Sequence, residues 1–341
     1  MYRFNCDYLE GAHPNIIKRL VDTNLIQTVA YGNDEISASA KEKIKAACGN
    51  PNVDIYFLVG GTQANLVVLD SILESYEGVI AADTGHISVH EAGAIEHTGH
   101  KVITLSSSNS KLNYNDVRNY VKGFYEDETN LHMVKPGAVY ISHPTEYGML
   151  YTKEELEGLS QVCKEYGMKL YLDGARLGYG LASYNTDVTL KDIAKFCDVF
   201  YIGGTKVGAL FGEAVVFTNK NDSKYFFTRT KQKGAHLAKG RILGIQFDEL
   251  FTDNLYFEIS RHAIDLAMLI KDSLIKKGYK LYMDSYTNQQ FFIIPKEIFI
   301  KISDKVVIDN WGEYDKDNFI CRITTSWATT KESVEFLINI M

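Results

Sequence analysis

Prolines are scarce, five in 341 residues, and no Ser- or Gly-rich linker is seen. Nothing therefore reads as a flexible linker, and the domains are expected to pack directly on each other. Cysteines are equally few, and none of the five (Cys6, Cys48, Cys163, Cys197, Cys321) forms a Cys-x-x-Cys pair. An odd, scattered set excludes a disulfide framework and points to reduced thiols in a cytoplasmic setting. No apolar run approaches the ~20 residues of a membrane span. The start, Met1-Tyr2-Arg3-Phe4-Asn5-Cys6-Asp7, lacks an apolar core, so no secretory leader is expected. Positive charge is not in excess. The net charge is −7, which argues against a nucleic-acid surface. Gly-x-Gly-x-x-Gly is missing, and so is a Walker A loop, which removes the two commonest nucleotide signatures. No internal repeat is visible.

What is present is the composition of an ordinary soluble protein, 45% hydrophobic and 23% charged. The length suffices for a large core and two domains. Short apolar runs alternate with helical patterns. Ile55–Val59 runs into Gly60-Gly61-Thr62-Gln63-Ala64-Asn65 and an apolar helix, Leu66 to Leu73. Val79–Ala81 ends at Asp83-Thr84-Gly85-His86, and Val102–Leu105 follows. Ala138–Ser142 comes after a helical stretch at 115–126, and Thr152-Lys153-Glu154-Glu155 is a capping box opening a helix to Tyr166. Met168–Leu172 ends in Asp173-Gly174-Ala175-Arg176. A helix at 190–196 leads to Asp198–Ile202, which ends in Gly203-Gly204-Thr205-Lys206, and Ala214–Phe217 closes the series. This alternation predicts an α/β fold with a mostly parallel sheet covered on both faces.

Before it lie an arm, residues 1–14, and two helices, one from Pro14 and one over 35–48 capped by Gly49. After about residue 235 the texture changes. A long helix over 254–277, two strands (Phe291–Ile294 and Ile320–Thr324) and a last helix near Thr329-Thr330-Lys331-Glu332 predict a smaller α+β domain. The expected division is an arm over 1–14, a large domain over 15–235 and a small domain over 236–341.

The chemistry collects at strand ends. In open α/β sheets ligands sit at the carboxyl edge. Gly61 and Thr62 stand between a strand and a helix, where amide groups and the helix dipole favour a phosphate. Asp173 and Lys206 each follow a buried strand. An acid facing a cationic ring nitrogen and a lysine facing an aldehyde together suit pyridoxal 5′-phosphate. His86 also follows a strand, where its ring can stack on the cofactor. Arg176 and Arg322 lie by strand ends, and either guanidinium can clamp a substrate carboxylate. Taken singly, each residue has a plainer reading: a turn, a cap, a surface lysine, a structural ion pair. Their conjunction at the ends of separate strands is what points to the cofactor.

Val59-Gly60-Gly61-Thr62-Gln63-Ala64-Asn65, Asp83-Thr84-Gly85-His86, Leu172-Asp173-Gly174-Ala175-Arg176 and Gly204-Thr205-Lys206 resemble the low-specificity threonine aldolases. These belong to the β-eliminating lyase group of fold-type-I pyridoxal-phosphate enzymes. Arg322-Ile323-Thr324-Thr325-Ser326-Trp327-Ala328 resembles that family's C-terminal arginine segment. The resemblance implies a cytoplasmic homo-oligomer, a dimer of dimers, that cleaves threonine or allo-threonine to glycine and acetaldehyde and needs no metal. It makes Lys206 the Schiff-base lysine, Asp173 the ring-nitrogen partner, His86 the stacking ring, and Gly61 and Thr62 the phosphate turn. Arg176 and Arg322 would hold the substrate carboxylate. The segment Lys231 to Arg241 resembles a region that reaches a neighbouring subunit's site.

Two places depart from the family. Cys6 replaces the serine that precedes the aspartate in the arm, and is expected at the substrate. Glu146, in His143-Pro144-Thr145-Glu146-Tyr147-Gly148, takes the place of a catalytic histidine. Other reactions on the same scaffold, β-elimination or transamination, remain open, as does a protein that carries the cofactor without turnover.

Overall fold

The structure, a computed structural model, describes residues 1–341. Strand β1 (Tyr2–Arg3) is followed by helices α1 (Pro14–Asp22) and α2 (Glu35–Cys48). Pro14 opens α1, where its missing N–H costs nothing. The Asp34 carboxylate caps α2 by accepting from the Ser37 amide, and Gly49 ends it at φ 63°, a left-handed turn that glycine adopts without strain. The buried face of α2 is Ser37, Ala40, Ile44 and Cys48.

The α/β layer then runs β2 (Asp54–Leu58), α3 (Gly61–Ile72), β3 (Glu77–Ala82), the short α4 (His86–Val89) and α5 (Ala94–His97), β4 (Val102–Leu105) and α6 (Tyr114–Glu126). It continues through β5 (Lys135–Ser142), α7 (Lys153–Glu165), β6 (Lys169–Asp173), α8 (Leu177–Ala182), α9 (Leu190–Phe196), β7 (Val199–Gly203) and β8 (Glu213–Phe217). The capping box of α7 is formed, Thr152 and Glu155 bonding each other's backbone amides. Seven strands make one sheet in the order β2-β8-β7-β6-β5-β3-β4. From β7 to β4 every pairing is parallel; β8 alone runs the other way, antiparallel to both β7 and β2. The carboxyl ends of β2, β3, β5, β6 and β7 therefore share one edge. The chain steps outward from β3 to β4 and returns to β5 on the other side of β3, which opens a crevice at that edge.

Side chains alternate between two buried clusters. Ile80, Val139, Leu170, Leu172, Phe200 and Ile202 enter one; Val79, Ala138, Tyr140, Tyr171, Val199 and Tyr201 enter the other. Both faces are thus covered, as parallel strands require.

The rest of the chain is α10 (Phe226–Gln232), α11 (Arg241–Leu250), α12 (Leu255–Lys276), β9 (Lys280–Met283), β10 (Gln289–Pro295), α13 (Lys296–Ile302), β11 (Val306–Val307), β12 (Asp309–Glu313), β13 (Asn318–Thr324) and α14 (Lys331–Ile340). A four-stranded antiparallel sheet, β12-β13-β10-β9, packs over a third cluster holding Phe292, Ile294, Cys321 and Ile323. Helix α12 serves both units: Tyr256, Ala263 and Ile264 enter the large cluster, and Leu266, Ile270 and Leu274 enter the small one. The arm is tied to the small unit. Strand β1 pairs in parallel with β11, Phe4 is buried in the third cluster, and the Phe4 carbonyl accepts from the Thr324 amide at 2.8 Å. No helix is long and apolar enough to cross a membrane.

Some elements differ from expectation. Helix α3 begins at Gly61, because glycine and threonine are tolerated in a first turn. Helices α10 and α11 and strands β9 and β12 were not foreseen; β12 reads Asp-Asn-Trp-Gly-Glu, with no apolar alternation to announce it.

Candidate active site

The carboxyl edge of the large sheet holds a cavity of about 280 Å³, whose wall includes Gly61, Thr62, His86, Glu146, Asp173 and Lys206. A second cavity of about 610 Å³ adjoins it, sharing His86, Glu146, Arg176 and Lys206 and adding Arg322 and Trp311. Gly60 is the N-cap of α3, so Gly61 and Thr62 present first-turn amides that have no partner within the helix. A Cβ at Gly60 would meet nothing, so the turn is open on that side.

Asp173 ends β6 and is 4% exposed. It accepts hydrogen bonds from Tyr140 Oη (2.7 Å), Asn65 Nδ2 (3.0 Å), the Ala175 amide (3.0 Å) and the Tyr201 hydroxyl. Burial alone would raise its pKa. The positive charge of His86 and the hydroxyls of Tyr201 and Tyr140 outweigh that and hold it below the ordinary aspartate value. Lys206 follows β7, with Nζ 5.7 Å from the centroid of the Tyr8 ring. Burial, then the neighbouring Arg176 charge, lowers its proton affinity, although Asp7, Asp173 and Glu213 pull the other way. The cavity therefore pairs an ionised acid with an amine weakened as a base.

His86 opens α4, and its Nδ1 lies 2.7 Å from Glu91 Oε1. Burial lowers its pKa, but the Glu91 hydrogen bond and the charges of Asp173 and Glu91 raise it above the ordinary histidine value. Asn65 Nδ2 bridges Glu91 (2.6 Å) and Asp173 (3.0 Å), joining the two acids in one network. Glu146 accepts from Ser142 Oγ at 2.6 Å and from the backbone amide of His86 at 2.8 Å. Burial raises its pKa, and the hydrogen bonds only partly offset this.

The arginines are more heavily engaged than their residue type implies. Arg176 donates through Nε (2.7 Å) and Nη2 (2.9 Å) to the two oxygens of Asp7, which is fully buried. The bidentate fork expected to meet a substrate carboxylate is thus filled by the arm. Arg322 donates to Gln289 Oε1 (2.9 Å), Asp309 Oδ2 (2.8 Å) and the Asn5 carbonyl (3.1 Å), while its Nε is buried with no partner. Cys6 lines neither cavity; Tyr8 lines both. The arm bends at Asn5 and Asp7, and Tyr8 rather than Cys6, the residue the resemblance placed at the substrate, reaches the cavities.

A profile of the family described as beta-eliminating lyase matches residues 13–292. The chain belongs to the beta-eliminating lyase family. A low specificity L-threonine aldolase of Pseudomonas sp. (strain NCIMB 10558) is 31% identical over 270 residues, 79% of this chain and 77% of that protein. A solved structure of a Leishmania major threonine aldolase superposes with a TM-score of 0.96 at 40% identity, covering 100% of this chain and 98% of that one. Aspartate aminotransferase of Thermus thermophilus shares the fold at 15% identity, with a TM-score of 0.72 over 100% of this chain and 90% of its own. This beta-eliminating lyase is therefore a fold-type-I enzyme, and its cofactor is pyridoxal 5′-phosphate.

The residues of the lyase fit that group. The open turn at Gly60 and the free amides after it suit a phosphate, the buried ionised Asp173 suits a protonated ring nitrogen, and the weakly basic Lys206 suits an aldehyde. Four residues of the site were not foreseen. Tyr140 and Tyr201 lie within strands whose apolar texture hides their hydroxyls, and Asn65 lies one turn into α3. Glu213 begins β8, and only the antiparallel insertion of that strand carries it to the carboxyl edge.

Proposed function

We propose that this lyase cleaves the Cα–Cβ bond of β-hydroxy-α-amino acids, turning threonine or allo-threonine into glycine and acetaldehyde. The carrying observation is the wall shared by Lys206, Asp173, His86 and Glu146, where the last two have proton affinities raised above their ordinary values. That suits removal of a β-hydroxyl proton. The kinship with proteins named threonine aldolase supports the same choice.

When bound, pyridoxal 5′-phosphate supplies an electron sink for the pair left on Cα. Gly61 and Thr62 would hold its phosphate, Asp173 would keep a proton on its ring nitrogen, and Lys206, weakened as a base by burial, would hold its aldehyde. His86, fixed by Glu91, would stack on its ring. The orphaned Nε of Arg322 and the remaining nitrogen of Arg176 take the substrate carboxylate, which orients Cβ for cleavage. Glu146 takes the hydroxyl proton, directly or through water, the Cα–Cβ bond breaks, acetaldehyde leaves and a proton returns to Cα.

The functional unit is an oligomer, with a second copy covering the exposed apolar side chains of Ile17, Val21, Leu25, Ile26 and Val29. Five unpaired cysteines suit a cytoplasmic setting. Product analysis of purified, cofactor-loaded protein with threonine tests the reading. Equal amounts of glycine and acetaldehyde are expected. A keto acid with ammonia would favour β-elimination, and no product would favour a carrier.

A further inference from the structure

Glu213 is a carboxyl group that the chemistry above leaves unused. It is 4% exposed and lines the same cavity as Gly61, Thr62 and Lys206. Register places it between the two turns that would contact the cofactor: it pairs with Leu58, just before Gly60-Gly61-Thr62, and with Gly203, just before Gly204-Thr205-Lys206. Its Oε1 accepts from Thr205 Oγ1 at 2.9 Å and its Oε2 from the Gly204 amide at 3.1 Å. Both donors are neutral, so neither cancels a negative charge there. An acid is an odd occupant for the wall of an anion site, since a carboxylate and a phosphate dianion repel in a cavity of low dielectric.

Like charges sharing one site are relieved when one of them takes a proton. We propose that Glu213 makes cofactor binding proton-linked: it is protonated as the phosphate group enters, and the neutral carboxyl then forms part of the phosphate's wall. The inference rests on the cofactor reading of Gly61 and Thr62. The proton comes from solvent, the protonation itself changes no bond to carbon, and the two protein hydrogen bonds can persist.

The surroundings support the linkage. Burial pushes the Glu213 pKa up to about 8, against the lowering effects of Thr205, Lys206 and the Gly204 amide, while Asp173 raises it further. The other titratable groups facing it are Tyr171 on β6, Tyr201 on β7 and Tyr256 on α12, all neutral near pH 8 because burial raises them. Lys206 is the cation whose charge acts on Glu213, and it acts equally whether or not the ligand carries phosphate.

The test is calorimetric titration of cofactor-free protein in buffers of different ionisation enthalpy, which counts protons taken up. Pyridoxal 5′-phosphate is compared with pyridoxal, which has the same ring and aldehyde without phosphate. Between pH 7.5 and 9 the phosphate monoester is already close to a dianion, its second pKa being about 6. With Glu213 titrating near 8, the phosphate ligand should take up about half a proton more per site than pyridoxal at pH 8, approaching one at pH 9. In Glu213→Gln, whose carboxamide mimics the neutral acid, that difference should vanish. Equal proton counts for the two ligands in the parent protein, or an undiminished difference in the Gln variant, overturn the inference. If the parent binds neither ligand, the cofactor reading itself falls.

Discussion

At the scale of single residues, Asp173 shows how a nearly buried acid stays ionised. Desolvation opposes its charge, and two tyrosine hydroxyls, an asparagine and a backbone amide restore it. Hydrogen bonds to the charged form lower a carboxyl pKa, so removing one must raise it. Tyr201→Phe is therefore expected to move the acid limb of the pH–rate profile upward by about 1–2 units, since a hydrogen bond to a charged group contributes about 1.5–3 kcal/mol. The profile of kcat/KM against pH checks this; an unmoved acid limb would show that Asp173 does not set it. Glu146 invites a separate test. Glu146→Gln keeps an oxygen for Ser142 and the His86 amide but removes the base. The cofactor spectrum should persist while threonine cleavage falls by ~10²–10⁴-fold. Cleavage at the parental rate would move the base elsewhere, with His86 next in line.

At the scale of elements, the site depends on how closely β6 and β7 approach where they end. The Gly174 carbonyl accepts from the Gly203 amide at 2.9 Å, and a Cβ at Gly174 would stand 1.9 Å from the Tyr201 carbonyl oxygen. That oxygen belongs to the backbone of a central strand and cannot step aside. Gly174→Ala is expected to destabilise the fold by about 3 kcal/mol, the upper end for overpacking a tight core. Denaturant unfolding of the variant against the parent measures it; a change under 1 kcal/mol would mean that the two strand ends separate easily. The same elements explain what could be read in the sequence. Asp173 was legible because it directly follows a short apolar run, Lys206 because it ends the glycine turn after another, and the helix caps at Gly49 and Thr152 because their chemistry is local. Tyr140, Tyr171 and Tyr201 were not. A buried strand tyrosine looks like any other apolar residue until neighbouring strands align the hydroxyls around one acid and its asparagine. The pairing of Asp7 with Arg176 was hidden for a related reason: it joins the arm to the turn between β6 and α8 across 169 positions of sequence, and no spacing records that.

At the scale of the whole molecule, the segment from α1 to Tyr31 leaves apolar side chains in solvent: Leu25 is 91% exposed, Val21 70% and Val29 66%. The region resembling a subunit-reaching segment lies against it. Arg241 donates to the carbonyls of Thr23, Asn24 and Ile26, and the Tyr31 amide donates to Ala238. Exposed apolar side chains gathered in one segment are what the proposed association of copies would cover. Leu25→Asp is expected to lower the assembly state seen by light scattering and weaken cofactor retention together. A monodisperse monomer in the parent protein would contradict the oligomer reading.

The most direct measurement concerns the meeting of strand ends around one lysine. Cofactor-loaded protein should be yellow, and borohydride should bleach it and fix the cofactor covalently on a single side chain. Peptide mapping is predicted to find that label on Lys206. A label on any other lysine, or a protein that takes up no pyridoxal 5′-phosphate, would contradict the account.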